Sequence, residues 1–287
     1  MIELPHVPKR LTKPRSKGIT MVMDKGLSIR QAEDLINASG HLVDFVKLGF
    51  GTSYVSRNVN DKIELYKSAG IRPYLGGTFF EAFMVRNMFD DYMRLVVDKL
   101  KLDTVEVSDG SILINHDSKC GYISKLSHHC TVLSEVGSKE AGILISPNKW
   151  KQMMHDELQA GAWKVIAEAR ESGNVGIYRP SGKAHVSLIH KILNKIKPED
   201  IIWEAPIKSQ QVYFIKLLGS EVNLGNISPD EVIPLETLRL GLRGDTFFTF
   251  LPREVAEGWI PEYTDDEKES FDHPSATTGQ DDVKETV

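Results

Sequence analysis

The stretch of the chain that most clearly suggests chemistry runs from Lys164 to Gly173, where a short apolar run ends in Glu168, Arg170 and Ser172. Because alternate residues of a strand lie on the same face, Glu168 and Arg170 are expected to lie side by side. Burying an acid and a guanidinium at a strand end is costly unless each finds a partner or a ligand. The loop that follows, residues 172–176, contains two glycines and could surround an anion with backbone N–H groups. This stretch therefore predicts a site for an anionic ligand.

The same design, an apolar run that ends in polar residues, recurs along the chain. The resulting candidates for one shared site are Asp24, Lys25, Lys47, Thr78, Glu106, Asp109, Glu135, Lys139, Glu168, Arg170, Ser172, Gly173, Glu204 and Asn226. Carboxylates that converge repel one another and raise one another's pKa values, and either a divalent cation or lysines between them would relieve this repulsion. Carboxylate oxygens suit Mg²⁺, which usually takes one or two of them together with substrate and water. We therefore predict a Mg²⁺ site built from the four glutamates Glu106, Glu135, Glu168 and Glu204.

The cations among these candidates suggest how an anionic substrate is bound and protonated. Lys47 and Lys139 are the predicted proton donors, because the pKa of a lysine shifts readily on burial or beside other cations. Arg170 is suited to bidentate binding of a carboxylate or a phosphate. Each residue taken alone also has a structural interpretation, since a charged side chain at a strand end often serves as a loop anchor or salt-bridge partner. Asp24 with Lys25, for example, could form only an ion pair before a turn.

These residues can form one site only if the fold brings the strand ends together. Eight strand-then-helix units can be counted between Gly18 and Phe250. Near-continuous apolar strands that alternate with helices indicate a parallel sheet covered on both faces. Eight such units in roughly 230 residues match a (β/α)₈ barrel, whose active site lies at the carboxyl ends of the strands. An open doubly wound sheet is less favoured, because no G-x-G-x-x-G turn follows the first strand and polar residues end nearly every strand.

Four local signals refine the boundaries of the helices. Thr78 and Glu81 have the spacing of a capping box at the start of a helix. Ser209 is the predicted N-cap of the helix after strand seven. Pro234 is expected to separate a short turn from the last helix. The segment that follows strand four has a weak pattern, and we predict a helix only over residues 122–127.

Composition and charge narrow the class of protein. The chain has 287 residues, 41% of them hydrophobic, and a net charge of −5, so a nucleic-acid-binding surface is not expected. No apolar run approaches the ~20 residues of a membrane span, and the N-terminus lacks a signal-peptide core. The only cysteines are Cys120 and Cys130, which favours a reducing, cytoplasmic location over a disulfide framework.

The composition also predicts three segments. Residues 1–17 read as an extended lead-in, in which Pro5, Pro8 and Pro14 oppose a helix. Residues 18–250 form the predicted barrel as a single catalytic domain. Residues 251–287 are acidic and poor in apolar residues, which predicts a flexible tail.

Several motifs, in order along the chain, resemble phosphosulfolactate synthase. They are Met21–Gly26, Val46–Ser53, Val105–Ser111, Ser134–Gly137, Arg170–Gly173, Trp203–Pro206 with Ser209–Gln211, and Leu235–Thr246. The resemblance extends from about Gly18 to Phe248 and leaves the acidic tail unexplained. It implies a (β/α)₈ barrel that adds sulfite to phosphoenolpyruvate with Mg²⁺, giving (2R)-phospho-3-sulfolactate. In archaeal relatives this reaction opens coenzyme M biosynthesis, and in bacterial relatives it leads to sulfolactate.

The resemblance also implies roles for individual residues. The general acid proposed for the family is a lysine in the loop after strand five, which here is Lys139; Ser138 stands where the family often has a second lysine. Ala169 stands where a glycine is familiar. Phosphate or sulfite is expected to bind at Arg170 with residues 172–173. Asp24, Lys25 and Asn226 complete the expected substrate-binding set. A homo-oligomer, specifically a trimer, is also expected.

Two alternatives remain open at this point. The first is a different enolate-forming lyase or isomerase on the same barrel. The second is a non-enzymatic, stress-associated role in which the acidic tail binds a partner, since the family has distant plant relatives associated with heat stress. The charged residues at the strand ends favour an enzyme over the second alternative.

Overall fold

The centre of the protein is an eight-stranded parallel sheet, seen in a computed structural model that describes residues 2–137, 146–169 and 172–260. The strands are β1 (Thr20–Asp24), β2 (Phe45–Leu48), β3 (Arg72–Leu75), β4 (Thr104–Val107), β5 (Thr131–Val136), β6 (Lys164–Ala167), β7 (Ile201–Glu204) and β8 (Leu224–Ile227). Their order in the sheet is β3-β2-β1-β8-β7-β6-β5-β4, so that β1 pairs with β8 and the sheet curls into a nearly closed barrel. The predicted (β/α)₈ barrel is thereby confirmed.

Helices cover the outer face of the barrel. They are α1 (Ile29–Ser39), α2 (Thr52–Val55), α3 (Val59–Ser68), α4 (Gly77–Met84), α5 (Phe89–Met93), α6 (His116–Ser127), α7 (Pro147–Gln159), α8 (Val186–Leu193), α9 (Lys208–Leu218) and α10 (Val232–Arg239). A further helical turn, α11 (Arg253–Ala256), comes later in the chain. A π-helical turn, Arg94–Lys99, extends α5. Because helices cover the sheet, each strand can be buried on both faces and reads as a near-continuous apolar run.

The interior of the barrel is a packed apolar layer. Its members are Ile19, Met21, Phe45, Tyr74, Leu133, Ile166 and Ile202, with Trp163 packed against them. Since side chains two residues apart on a strand share a face, the next inward residues lie nearer the carboxyl end. Lys47 follows Phe45 in this way, and Glu135 follows Leu133. The same alternation that fills the core therefore places charged side chains at the mouth of the barrel.

Strands β3 and β4 form the seam of the barrel, because they stand at the two ends of the sheet order. Side chains join them at both ends. At the amino end, Arg72 Nη2 donates to Asp103 O at 3.2 Å and to Thr131 Oγ1 at 2.7 Å. At the carboxyl end, Gly77 N donates to Glu106 Oε1 at 2.6 Å. A site residue, Glu106, thus also helps to close the barrel.

The lead-in of residues 2–17 forms neither helix nor strand and is bound to the barrel by two arginines. Arg15 Nε lies 2.9 Å from Asp44 Oδ1, and both side chains are buried. Arg10 Nε lies 2.9 Å from Glu236 Oε1 and its Nη2 donates to Gly18 O at 2.9 Å. These contacts tie the segment to residues next to β1 and β2 and to Glu236 on α10.

Two of the predicted caps were wrong. Helix α4 begins at Gly77 with Gly76 as its N-cap and no capping side chain, and Glu81 accepts instead from Ser108 Oγ at 2.5 Å. Helix α9 begins at Lys208, so Ser209 lies inside its first turn. At α4 the tertiary contact of Glu81 with Ser108 overrode the local capping signal. At α9 the helix begins one residue before the predicted cap.

Two other boundaries also differ from the prediction. Pro234 lies within the first turn of α10, where its missing N–H would have no intrahelical partner in any case. Helix α6 starts at His116, with Asn115 as N-cap, and not at Tyr122. Its pattern is weak because a buried lysine, Lys119, occupies its inner face.

The chain divides into two compact units, and the first ends at Phe250. In the second unit the structure describes residues 251–260, which contain the single turn α11. The acidic residues 261–287 lie outside the described part, so the flexible tail stays a prediction. In the described ranges, no helix is both long enough and apolar enough to cross a bilayer.

Candidate active site

A buried lysine gathers three carboxylates at the mouth of the barrel. Lys47 Nζ, on β2, lies 3.1 Å from Glu106 Oε1 on β4, 3.2 Å from Glu135 Oε2 on β5 and 3.2 Å from Glu204 Oε1 on β7. All four residues are buried. Three of the four glutamates predicted to meet therefore do meet. The sequence suggested that a divalent cation or lysines would relieve the repulsion between these carboxylates. In the structure Lys47 lies between them.

The charges of this cluster set the protonation of its members. Burial lowers the pKa of Lys47, but attraction to Glu106, Glu135 and Glu204 outweighs it and holds the pKa well above its ordinary value. Burial raises the pKa of Glu204 from 4.5 to about 7; Lys47 opposes the rise and Glu135 adds to it. An ammonium group with a raised pKa is a weak acid. Lys47 was predicted to be a proton donor because burial can lower the pKa of a lysine. Here the pKa of Lys47 is raised instead.

A short hydrogen-bonded chain links the ends of β6, β7 and β8 beside the cluster. The second oxygen of Glu204, Oε2, accepts from Ala169 N at 2.8 Å. Asn226 Nδ2 donates to Ala169 O at 3.3 Å. Asn226 has a φ of 56° and a buried Oδ1 without a hydrogen-bond partner among the described residues. A strained, buried residue with an unused acceptor at a strand end is typical of a ligand-facing position.

The fourth predicted glutamate, Glu168, is buried at the end of β6 and has only 2% of its surface exposed. Close packing surrounds it, because a Cβ atom placed on Gly137 would lie 2.6 Å from Glu168 Cβ. Gly137 has a φ of 154°, so this position at the end of β5 suits glycine on both counts. Glu168 therefore lies where β5 and β6 end together.

The carboxylate oxygens at the mouth suit Mg²⁺, but the described side chains do not form a complete set of ligands around one ion. Within the described ranges, no group of three or more His, Cys, Asp or Glu side chains is arranged to hold a metal ion. Lys47 takes the position between three of the four glutamates. Mg²⁺ usually needs only one or two carboxylates and completes its octahedron with substrate and water. The residues present fit Mg²⁺ in that form, and they do not fit a four-glutamate site.

The carboxylate of Asp24 is bound by its own loop and by helix α3. Its Oδ1 accepts from Gly26 N at 2.8 Å and Leu27 N at 2.7 Å, and its Oδ2 lies 2.8 Å from Lys62 Nζ. Tyr66 adds a fourth bond, from its hydroxyl to Oδ2 at 3.0 Å. Both oxygens are thus used in holding the end of β1 against α3, which favours the loop-anchor interpretation over substrate binding. The neighbouring Lys25 is exposed, with Nζ 5.9 Å from the centre of the Phe50 ring.

The predicted anion-binding loop after β6 is held from α9. Gln210 Nε2 donates to Gly173 O at 2.7 Å and to Gly182 O at 3.2 Å, so one buried amide joins both sides of the loop. Gly173 has a φ of 65°, and a Cβ there would lie 2.6 Å from Gln210 Nε2. Ser172 is exposed, and its Oγ donates to Asn174 Oδ1 at 2.5 Å. Lys139 and Arg170, the predicted acid and anion-binding residue, lie outside the described residues.

The sequence interpretation missed a second buried lysine cluster, at Lys119 and Glu157. Lys119 follows the spacing of Ile123 and Leu126 on the inner face of α6, and Glu157 follows that of Trp150 and Met153 on α7. A charged residue in the apolar stripe of a helix was the available signal. By contrast, the neighbouring His128 and His129 are exposed at the end of α6.

The fold and the charged mouth define a TIM-barrel enzyme. The chain belongs to the (2R)-phospho-3-sulfolactate synthase (ComA) family, whose profile matches residues 8–245. A phosphosulfolactate synthase of Methanothermobacter thermautotrophicus is 43% identical over 245 residues, covering 83% of this chain and 95% of the relative. One from Bacillus subtilis is 38% identical, covering 85% and 97%. Among solved structures, the 3-hexulose-6-phosphate synthase of Salmonella typhimurium is 14% identical with a TM-score of 0.49, covering 78% of this chain and 100% of that one.

Proposed function

We propose that this protein adds sulfite to phosphoenolpyruvate in the presence of Mg²⁺ and releases (2R)-phospho-3-sulfolactate. The observation that carries the proposal is the family match over residues 8–245, which includes every residue of the mouth. Two relatives at 43% and 38% identity, both named phosphosulfolactate synthase, support it. We further propose a homo-oligomer, specifically a trimer, and a cytoplasmic location; light scattering of the purified protein tests the oligomer.

The reaction needs no oxidant or reductant. The sulfur lone pair of sulfite forms a bond to C3 of the enol phosphate, and the C2–C3 π pair moves toward the substrate carboxylate. C2 then takes one proton, which restores the carboxylate. In the proposal Lys139 donates that proton, and Arg170 with residues 172–173 holds the phosphate or the sulfite.

The described side chains of the mouth keep its charges in place. Lys47 lies between three carboxylates at the mouth. Two anionic substrates that enter a mouth lined with carboxylates need cations beside them, which supports roles for Lys139, Arg170 and Mg²⁺. Lys47, whose pKa is raised, acts in the proposal as a fixed charge that orients the carboxylates and not as the acid.

Glu168 and Glu135 are the proposed ligands of Mg²⁺. Glu168 and Glu135 are chosen because both carboxylates are buried at the ends of the neighbouring strands β6 and β5. When bound, the ion would supply Lewis-acid stabilisation of the negative charge that develops on the substrate carboxylate, worth several kcal/mol. Asn226 and Lys25 complete the proposed substrate-binding set.

The test combines the purified protein with phosphoenolpyruvate, sulfite and Mg²⁺. Loss of the enol absorbance and a new phosphorus resonance for the sulfonated product are expected, and both should require sulfite and stop on chelation of Mg²⁺. Lys139→Ala should abolish the signal, while Lys149→Ala, an exposed lysine on α7, should leave it intact. A well-folded wild-type protein that consumes no phosphoenolpyruvate under these conditions would refute the proposal. Borohydride trapping of a lysine on a carbonyl substrate would favour an aldolase instead.

A further inference from the structure

Lys119 is a buried lysine outside the mouth, and it has no exposed surface. It lies on α6, and its ammonium group contacts three acceptors. Nζ is 2.8 Å from Asp109 Oδ1, 3.0 Å from Glu157 Oε1 and 2.6 Å from the backbone carbonyl oxygen of Glu135. The third contact joins this cluster directly to a residue of the mouth.

The carbonyl of Glu135 lies just beyond the pairing of β4 with β5. The register of these strands ends at Val107 and Ser134, because β4 stops at Val107. Lys119 supplies a donor to the next carbonyl along β5, and its bond to Asp109 holds the loop that follows β4. The ammonium group therefore continues the connection between the two strands where the ladder stops.

Helix α7 contacts the same point of β5. Glu157 Oε2 accepts from Ser134 Oγ at 2.6 Å while its Oε1 faces Lys119. Two consecutive residues of β5, Ser134 and Glu135, are thus held by a buried ion pair that α6 and α7 supply. Buried ion pairs are commonly no more stabilising than apolar side chains of similar size. Stability alone therefore gives little reason for charge at this place, whereas alignment of Glu135 does.

We propose that Lys119 is a positioning residue for the reaction. By fixing the main chain of Glu135 and the Asp109 loop, it sets the depth of the Glu135 carboxylate in the mouth and its 3.2 Å contact with Lys47. The kinetic consequence rests on the proposed function. The geometric consequence can be tested without any turnover.

The test compares two variants whose stability and activity are expected to fall in opposite orders. Lys119→Met with Glu157→Gln removes both buried charges, keeps the volume nearly constant and leaves an acceptor for Ser134. Lys119→Arg keeps a donor for the Glu135 carbonyl but forces a larger group into a closed site. The double variant should be the more stable of the two, and its kcat should fall about tenfold to a hundredfold, the usual effect of a small misplacement. The arginine variant should keep more of the kcat.

A matched control and a structural measurement complete the experiment. Arg15→Met with Asp44→Asn removes a buried pair that binds the lead-in, and its kcat should equal that of the wild type. A crystal structure of the Lys119→Met, Glu157→Gln variant should show Glu135 Oε2 displaced from Lys47 Nζ. A wild-type kcat in that variant, or an unmoved Glu135 carboxylate, would overturn the inference. If the wild type itself showed no turnover, the proposed function would fail and the crystal structure would still decide this inference.

Discussion

Two of the buried lysines, Lys47 and Lys119, differ in the kind of partner that they contact. Lys47 lies inside the barrel and spans it, because its three carboxylates come from β4, β5 and β7. Lys119 lies outside the barrel wall and uses one of its three contacts on a main-chain carbonyl. A lysine held only by side-chain charges balances electrostatics, whereas a lysine that binds the backbone fixes a position. In the sequence, both lysines occupy positions on the buried faces of their elements. Only the acceptors that they contact distinguish the two.

The largest effect should follow from Lys47→Met. This change leaves Glu106, Glu135 and Glu204 buried without their common cation, and breaking a buried pair in this way costs about 3–5 kcal/mol. Activity should be lost as well as this part of the free energy of unfolding. Denaturant unfolding measures the loss, and adding Glu204→Gln should restore little, because two carboxylates still face each other. An unchanged unfolding midpoint in Lys47→Met would show that the cluster is not the electrostatic unit described above.

Lys119→Met should cost less, on the order of 3 kcal/mol in the free energy of unfolding. Adding Glu157→Gln to Lys119→Met removes the unpaired charge of Glu157. The double variant should therefore recover most of the lost free energy of unfolding. A double-mutant cycle on unfolding free energies measures this coupling. Additive losses for the two changes would mean that Lys119 and Glu157 do not act as a pair.

The mouth should also differ in its dependence on pH. The pKa of Glu204 is raised from 4.5 to about 7 by burial, so the folded protein holds a proton that the unfolded chain releases in this interval. Its favourable contribution is therefore complete below about pH 4.5 and is lost as the pH rises through about 7, by at most about 1.4 kcal/mol per pH unit. Glu204→Gln should remove this slope. Unfolding curves of both proteins at pH 5, 6 and 7 would show parallel stabilities if Glu204 were ionised throughout.

The smallest effect belongs to an exposed pair. Lys208 Nζ lies 3.0 Å from Asp245 Oδ1, and 45% and 31% of these side chains are exposed. Lys208→Ala should change the free energy of unfolding by less than about 1 kcal/mol, and the difference should shrink further at high salt. Thermal unfolding at low and high ionic strength measures it. A loss comparable to that at Lys119 would contradict the view that burial separates these ion pairs.

Periodicity in the sequence predicted the barrel and most of its strands. The eight predicted strand-then-helix units correspond to the eight parallel strands of the barrel. The convergence of Glu106, Glu135 and Glu204 followed from the same reasoning, since parallel strands carry equivalent positions to one end of the barrel.

The rest depended on contacts that no local pattern reveals. The four glutamates looked like one metal site, but Lys47 reaches into three of them from β2. Asp24 looked like a substrate ligand until α3 supplied Lys62 and Tyr66 to its carboxylate. Glu81 looked like a capping residue, and Ser108 from the next loop accounts for it. In each case the deciding partner is far away in sequence.

The seam between β3 and β4 has a consequence for how the barrel moves. Neighbouring strands elsewhere are joined by ladders, while here Arg72 and Glu106 make the connection at the two ends. Regions held by fewer backbone bonds open at lower free energy, so local breathing of the wall should begin at this joint. Glu106 is also a partner of Lys47, and each opening would therefore disturb the balance of charge in the mouth. Opening of the seam would in this way be coupled to the charges at the mouth through the Glu106 carboxylate.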